Sequence, residues 1–245
     1  MGNEDAVEAY KHVLDLAPGL NAARDQLAVH LVLMGKYQEA AQMLEILVRR
    51  SQDSAMYWHH LGEALSRWAR SLPTGTATRQ GETVSLFARA REAYLRAIQL
   101  EPGNPDSYRG IAWTHLWQLD YAKAVEWFKK AVSADDKVDL FDIEALIEAC
   151  FAAALGDLDS EFKAAYESIT GIISNEPKDI QDYVARLLAS HGYETYLVHQ
   201  YSAARRLLQG AHTIGISDPK ARPIIANLIT LSGAAGELRK IGANK

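Results

Sequence analysis

One column of residues recurs along this chain of 245 residues and limits the folds that it can adopt. The column has an alanine, then Tyr, Phe or Leu four residues later, then Ala, Leu or Val after three more. It occurs at Ala40–Leu44–Leu47, Ala90–Tyr94–Ala97 and Ala124–Phe128–Ala131, and near the start as Ala6–Tyr10–Val13. Small residues let two helices approach closely, and the larger residue one turn later fills the gap between them. We therefore predict helices that pack on one another through this column.

A second column precedes the first in three places. It occurs as Leu27-Ala28-x₂-Leu31, Leu61-Gly62-x₂-Leu65 and Ile111-Ala112-x₂-His115. The step from its small residue to the alanine of the next column is 12 residues in the first and third copies. In the second copy, from Gly62 to Ala90, the step is 28 residues, so that copy carries 16 additional residues.

Two further residues complete a known pattern, because Trp58 precedes Leu61 by three residues and Pro102 follows Ala97 by five. Together these residues resemble the tetratricopeptide repeat, a helix–turn–helix unit of about 34 residues with the pattern W-x₂-L-G-x₂-Y…A-x₃-F…P. The resemblance implies an all-α fold, a right-handed superhelical solenoid of stacked antiparallel helix pairs, with about 12–13 helices. One repeat cannot bury its apolar face alone, so repeats stack, and the curved surface usually holds another protein.

The resemblance extends over most of the chain, which we interpret as a single solenoid over 1–245. Residues 4–17 are predicted as a second helix without its first, 21–54, 55–104 and 105–138 as clear repeats, 139–177 and 178–217 as degenerate repeats, and 219–242 as a C-terminal capping helix. In the first degenerate repeat, Ala165, Ile169 and Ile172 fit the second-helix column. The capping helix is predicted to pack through an apolar stripe of Ile224, Ile225, Leu228, Ile229 and Leu231. An array that begins with an unpaired helix exposes an apolar face. We therefore expect the chain to be a fragment of a longer protein, or the first helix to be covered by another surface.

Charge argues against nucleic acid as the partner. The net charge is −5, the pI is about 5.9, and no run of Lys or Arg is longer than two. A nucleic-acid-binding protein more often carries a basic face.

The cellular compartment is predicted from the cysteine content and from the lack of a membrane span and of a secretory signal in this sequence. Cys150 is the single cysteine, so no internal disulfide can form. No apolar stretch approaches the roughly 18 residues that a membrane span requires. Residues 1–5 lack the charged and apolar regions of a secretory signal. We predict a cytoplasmic protein, although a longer parent protein could carry a signal that this chain lacks.

The predicted binding site lies on the first helices of the second and third clear repeats, since first helices line the concave face of such arrays. The residues at the inward positions that we predict to bind a partner are His59, Glu63, Arg67, Arg109, Trp113 and Trp117. Trp and Arg are frequent anchors of protein interfaces. Arg67 and Arg109 would pair with acidic or carboxylate groups of an extended or helical partner segment, while the tryptophans supply apolar contact. The alternative is that Trp113 and Trp117 belong to the core of the repeat.

The resemblance also tests one class of partner, the C-terminal tails of heat-shock chaperones. Family members that bind them use Lys and Asn at positions five and nine of one repeat, Asn at six of the next, and Lys and Arg at two and six of the third. Those positions hold Asp25, Val29, His60, Asp106 and Gly110 here. This carboxylate clamp is absent, so we predict no binding to chaperone tails.

No group of residues supports catalysis or metal binding. His59 and Glu63 could touch one cation from a helix face, but a stable site needs three or four ligands. The paired carboxylates Asp135 and Asp136 fall at a helix end, where a solvated cap is expected. Cys150 is predicted as a buried small hydrophobe, and no phosphate-binding glycine motif occurs. We predict a protein that is not an enzyme and that has no catalytic residues, metal or cofactor.

The additional residues lie near 69–85 and are rich in Thr, Ser and Gly. We predict a loop over about 72–81, with helices extended on both sides. The insertion is either a binding lip, a regulatory phosphosite, or a surface insertion that is tolerated because long loops cost little, and the last is favoured.

Two functions follow from the sequence. The first is a scaffold or adaptor that binds a partner peptide or helix in its concave groove without catalysis. The second is a structural or regulatory helical arm of a larger enzyme or assembly factor, acting through intramolecular contacts or self-association.

Overall fold

The computed structural model describes residues 2–73, 77–134 and 140–243, and all regular elements in these ranges are α-helices. In chain order they are α1 (Asn3–Leu16), α2 (Asn21–Leu33), α3 (Tyr37–Arg50), α4 (Ala55–Ser71), α5 (Ala77–Leu100), α6 (Pro105–Trp117), α7 (Tyr121–Val132), α8 (Leu140–Leu155), α9 (Asp159–Ile173), α10 (Lys178–Leu197), α11 (Tyr201–Ile214) and α12 (Ala221–Ala243). The predicted all-α class is confirmed. None of the described helices has the length and apolarity that crossing a membrane requires.

Helix contacts divide the chain into two compact units, residues 1–117 and residues 118–245. In the first unit each helix packs on the next along the chain, and α4 also packs on α2 and on α6. In the second unit α8 packs on α7, α9, α10 and α11, while α11 packs on α10 and α12. Contacts between alternate helices are those expected where antiparallel helix pairs stack. The predicted division of 1–245 into repeats of a single solenoid stays a prediction.

The recurring columns supply much of the core of both units. Ala40, Leu44, Ala90, Tyr94 and Phe128 are all buried, as are the other members of their three columns. The small residues bring the helix axes together, and the larger ones fill the remaining space at close-packed density. The sequence pattern therefore identified the faces by which the helices pack.

The first helix has a narrow buried face. Ala6 and Val7 are buried against the rest of the first unit, and the Tyr10 ring stacks on His30 with centroids 5.7 Å apart. Leu16 at the end of α1 is 75% exposed. Most of the surface of α1 therefore faces outward.

The column of α9 departs from the prediction by one residue. Ala165 and Ile169 are buried as expected, but Ile173 is buried in place of Ile172, which is half-buried. Steps of both three and four residues stay on one helix face, so spacing alone does not choose between neighbouring isoleucines.

The predicted capping stripe of α12 is narrower than expected. Ile225 is buried, and Leu228 and Ile229 pack partly against the cluster that Ile225 forms. Ile224 and Leu231 are exposed, by 58% and 51%. Residues 224 and 225 are about 100° apart around a helix, so a narrow contact buries one and leaves the other outside.

The insertion lengthens two helices more than it forms a loop. α4 continues to Ser71 and α5 already begins at Ala77. The prediction of a loop over 77–81 is therefore wrong, and residues 74–76 lie outside the described residues. α4 has 17 residues where α2 and α6 have 13. The additional turn of α4 carries Arg70.

Four connections between paired helices share one backbone conformation. Gly35, Leu119, Asp157 and His199 have φ angles of 77°, 61°, 53° and 63°, and each lies two residues before the next helix begins. After α2, the Lys36 N–H donates to the carbonyl of the residue five positions earlier, at 2.9 Å. This is the Schellman ending of a helix, which requires one left-handed residue. The same turn conformation therefore occurs in both units.

Candidate partner-binding site

All six residues predicted to bind a partner line one cavity of about 520 Å³ in the first unit. Three of them lie on α4 and three on α6, at spacings of four residues that place each set on one face of its helix. The other residues that line this cavity, which we call the α4–α6 cavity, are Ser66, Arg70, Tyr94, Asp106 and Gly110. The structure thus brings the predicted residues together; their role in binding stays a prediction.

Two tryptophans form the apolar wall of the α4–α6 cavity. The rings of Trp113 and Trp117 stack with centroids 5.6 Å apart and planes 30° apart, and Phe87 lies 6.1 Å from Trp117. Both tryptophans are half-buried. Each therefore packs partly within the repeat and partly borders the cavity, where apolar ring surface is available for contact.

Three guanidinium groups and two carboxylates surround that wall. Arg67 lies 2.9 Å from a Glu63 carboxylate oxygen, and Arg109 pairs with Asp106. Each pair lies within one helix. Arg70 is exposed, and its guanidinium carbon lies 5.0 Å from the centre of the Trp117 ring. With histidines neutral, the charged side chains of the cavity leave one positive charge, although the whole chain is acidic.

The floor of the cavity depends on Tyr94, whose ring lies between two glycines. A Cβ atom at Gly62 on α4 would lie 2.7 Å from Tyr94 Cδ1, and one at Gly110 on α6 would lie 2.4 Å from Tyr94 Cζ. Only glycine permits this approach, since real Cβ atoms do not come so close. The hydroxyl group lies 3.5 Å from Ser66 Oγ, and burial raises the pKa of the Tyr94 phenol, which therefore stays neutral.

Sequence reasoning assigned Tyr94 to the core column and did not include it in the site. The signal that could have identified it is the pair of glycines at facing positions of neighbouring first helices. Arg70 was also missed, because it lies within the insertion, where the repeat numbering has no defined position.

The two histidines of α4 occupy different environments. His59 Nδ1 lies 3.0 Å from Ser107 Oγ, and its ring centroid is 5.5 Å from that of Tyr94. Burial, with the neighbouring charge of His60 as the next cause, lowers the pKa of His59, so this ring is neutral near pH 7. His60 Nδ1 lies 2.7 Å from the buried carboxylate of Asp25. Burial lowers the pKa of His60, but the hydrogen bond and charge of Asp25 outweigh it, and the net shift is upward.

The groups considered for catalysis or metal binding have other surroundings. His59 and Glu63 contact Ser107 and Arg67. Within the described ranges, no three His, Cys, Asp or Glu side chains are grouped so that they could hold a metal ion. Cys150 is buried, and burial raises the pKa of its thiol, which disfavours the nucleophilic thiolate. Asp135 and Asp136 lie outside the described residues.

A second cavity, of about 500 Å³, lies in the second unit near the ends of α8 and α10. Its lining includes Asp157, Val198, His199 and Tyr201. The Asp157 carboxylate pairs with Arg206 at 2.9 Å, and His199 Nδ1 lies 2.8 Å from the Tyr201 hydroxyl. Asp157, His199 and Tyr201 thus contact other side chains, and this cavity holds none of the residues predicted to bind a partner.

Comparison with known proteins agrees with this architecture. Residues 84–138 match the sequence model of the tetratricopeptide-repeat family. Comparison with curated protein sequences gives no match. A thermophilic tetratricopeptide-repeat protein from Thermus thermophilus superposes with a TM-score of 0.56 at 16% identity, over 76% of this chain and 90% of that chain. MamA has a TM-score of 0.55 at 20% identity, over 71% and 84% of the two chains.

A third solved structure is YrrB, described as a tetratricopeptide-repeat protein with an unusual peptide-binding site. It has a TM-score of 0.50 at 13% identity, over 85% of this chain and 93% of that chain. Residues 84–138 therefore match the tetratricopeptide-repeat family in sequence, and the structural likeness shows the same fold over most of the chain. This fold is that of protein–protein interaction scaffolds.

Proposed function

We propose that the α4–α6 cavity binds a segment of a partner protein and that the chain acts as a non-catalytic interaction scaffold. The observation that carries this proposal is the convergence of the six predicted residues on one cavity. They come from two helices, and they combine stacked tryptophans with arginines, the residue types that most often anchor interfaces.

The dimensions of the cavity suit a short segment. His59 and Arg70 lie eleven residues apart on α4, which corresponds to about 16 Å at the α-helical rise of about 1.5 Å per residue. An extended chain advances about 3.3 Å per residue, so about five residues of a partner would span that length. The volume lies within the range of about 300–1,000 Å³ that is usual for ligand sites.

The two kinds of side chain would contribute differently. Trp113 and Trp117 offer apolar surface whose complete covering is worth about 2 kcal/mol or more at a well-packed interface centre. The arginines are exposed or already paired, and ion pairs of that kind contribute about 0–1 kcal/mol. Apolar contact would therefore set most of the affinity, and the arginines would select the charge of the partner.

The test is binding of a purified partner, identified by affinity capture from the native cell, to the wild type and to site variants. Trp117→Ala should weaken binding at least about tenfold, and Arg109→Ala about two- to fivefold. Trp127→Ala and Arg96→Ala are matched controls outside the cavity, on α7 and α5, and should bind like the wild type. Circular dichroism checks folding, and Trp117→Leu replaces Trp117→Ala if the latter melts early. Equal binding by all of these variants would contradict the proposal.

The second proposed function is self-association or docking within a larger assembly. It is supported by the exposed apolar residues Ile224 and Leu231, seven residues apart on one side of α12. Light scattering should then show mass above that of a monomer at high concentration, and Ile224→Ser with Leu231→Ser should restore the monomer. A wild type that stays monomeric at high concentration argues against self-association.

A further inference from the structure

Arg70 differs from the other arginines of the α4–α6 cavity. It lies on the additional turn of α4, which the insertion supplies and which the 13-residue helices α2 and α6 do not have. Its guanidinium lies over Trp117, at a distance of 5.0 Å that allows a cation–π contact. The insertion therefore adds a positive group to the rim of the cavity, next to the apolar wall.

Among the described residues, no carboxylate pairs with Arg70, whereas Arg67 pairs with Glu63 and Arg109 with Asp106. A guanidinium group holds a carboxylate through two parallel hydrogen bonds. Arg70 can form these bonds with an incoming carboxylate without first breaking an ion pair. It is therefore the charged group of this cavity that is best placed to take an acidic ligand.

We propose that the occupant of the cavity is a peptide segment with an Asp or Glu side chain two residues from an aromatic side chain. Arg70 binds the carboxylate and the aromatic ring packs on Trp113 and Trp117. This inference rests on the proposed function and names the chemistry of the partner.

Distances support the two-residue spacing. In an extended segment, side chains two residues apart point to the same side and are about 6.7 Å apart along the chain. The Arg70 guanidinium carbon is 5.0 Å from the centre of the Trp117 ring, and the ring centres of Trp117 and Trp113 are 5.6 Å apart. A carboxylate on Arg70 therefore places the second side chain against the stacked tryptophans.

The charge of the cavity favours a carboxylate over a phosphate. The charged side chains leave a single positive charge, which one carboxylate neutralises. A phosphorylated side chain carries about 1.5 to 2 negative charges and would require a second free cation. The proposal therefore commits to an internal Asp or Glu side chain.

The experiment is a selection of random octapeptides, displayed on phage without a free C-terminal carboxylate, against the immobilised full chain. The wild type should enrich peptides with Asp or Glu two residues from Phe, Tyr or Trp. Arg70→Gln should keep the aromatic preference and lose the acidic one, and Arg70→Glu should select Lys or Arg at that place. Arg96→Glu, an exposed charge reversal on α5 outside the cavity, should select the same peptides as the wild type.

A selected peptide then gives the size of the effect. Exchange of its Glu for Gln should weaken binding to the wild type about fivefold, and by less than twofold for Arg70→Gln. The difference in affinity between the Glu and Gln peptides should decrease as the salt concentration is raised, because the contact between Arg70 and the peptide carboxylate is exposed to solvent. Synthetic versions with and without a free C-terminal carboxylate should bind equally.

The outcomes separate the two proposals. Selected peptides that are aromatic without an acidic residue, or whose binding requires a free C-terminal carboxylate, overturn this inference and leave the proposed function standing. If Arg70→Glu selects peptides with the same amino-acid preferences as the wild type, this inference is also overturned. If no peptide binds the wild type better than Trp117→Leu, which keeps apolar contact with Phe87, both proposals fail.

Discussion

The Tyr94 ring packs between α4 and α6 at Gly62 and Gly110, which have no side chains to occupy that space. The ring fills the space that a Cβ atom would otherwise take, and it forms the floor of the α4–α6 cavity. At the scale of single residues, the shape of the site thus depends on two glycines that make no polar contact with a ligand.

Gly110→Ala should destabilise the chain by about 1–3 kcal/mol, because its Cβ atom would lie 2.4 Å from Tyr94 Cζ. The measurement is urea denaturation followed by circular dichroism. Gly81→Ala is the matched control, since its Cβ atom would meet nothing within 4 Å and should stabilise α5 by about 0.5–1 kcal/mol. In a Tyr94→Leu background the cost of Gly110→Ala should fall, and additive costs would argue against the contact.

His60 and Asp25 form a contact between helices α4 and α2 whose strength depends on pH. The pKa of His60 is raised above its ordinary value of 6.5. A histidine whose pKa is higher in the folded chain than in the unfolded chain stabilises the fold. This stabilisation is fully present at pH values below the pKa of the unfolded chain, and it is lost as the pH rises through the pKa of the folded chain. The other titratable groups that interact with the pair are His59 and Glu63 near His60 and Tyr57 near Asp25, all on α4.

The free energy of unfolding should therefore fall more steeply above pH 6.5 in the wild type than in His60→Gln/Asp25→Asn. That double variant keeps a neutral hydrogen-bonding pair and has the same remaining histidines, so the difference between the two chains isolates His60. Urea titrations from pH 5.5 to 8.5 measure it. A constant difference across this range would show that the pair does not titrate.

At the scale of helices, four of the connections between consecutive helices have the same backbone conformation. A left-handed residue precedes α3, α7, α9 and α11 by two positions. Only one of the four residues is glycine, so the other three carry the steric cost of that conformation.

Leu119→Gly should stabilise the chain by about 1 kcal/mol, because Leu119 has a φ of 61° and its side chain is 69% exposed. Thermal melting followed by circular dichroism measures the shift. Leu95→Gly serves as control within α5, where leucine is 41% exposed and helical, and it should destabilise by about 1 kcal/mol or more. The prediction is wrong if both variants shift the melting temperature in the same direction.

The insertion also acts at the scale of helices. Its residues lengthen α4 and α5, and the longer α4 carries Arg70 to the cavity. Of the interpretations that the sequence allowed, a binding lip is the one that our proposed role for Arg70 supports.

At the scale of the whole molecule, each of the two units has its own helix contacts, and a local change should act mainly within one unit. Repeat arrays are stabilised by contacts between neighbours, so a disturbance fades with distance along the chain.

Gly192→Ala tests whether a local change acts mainly within one unit. Its Cβ atom would lie 2.7 Å from Leu208 Cγ, between α10 and α11. Hydrogen exchange should rise in α10, α11 and the helices that contact them, α8 and α12, while α2 and α3 keep their protection. Gly171→Ala on α9, where a Cβ atom meets nothing within 4 Å, should leave exchange unchanged in all of these helices. Equal loss of protection in both units would indicate global unfolding and contradict the prediction.

Much of the fold and of the candidate site could be predicted because both follow a period of 3.6 residues. The columns around Ala40, Ala90 and Ala124 identified buried faces, and the numbering of the first helices placed six residues that line one cavity. Periodicity did not predict where α4 ends or α5 begins, because inserted residues have no equivalent in the repeat. Arg70 was missed for that reason.

The sequence by itself determined the helices, the faces that pack and the side of the repeats that carries tryptophan and arginine, because these depend on spacing along one helix. Only the tertiary structure decided which residues meet across helices. His60 reaches Asp25 from 35 positions away, and Tyr94 fills the gap between Gly62 and Gly110. Such contacts depend on how closely the helices approach one another, and that distance is set by packing of the whole unit rather than by any local pattern.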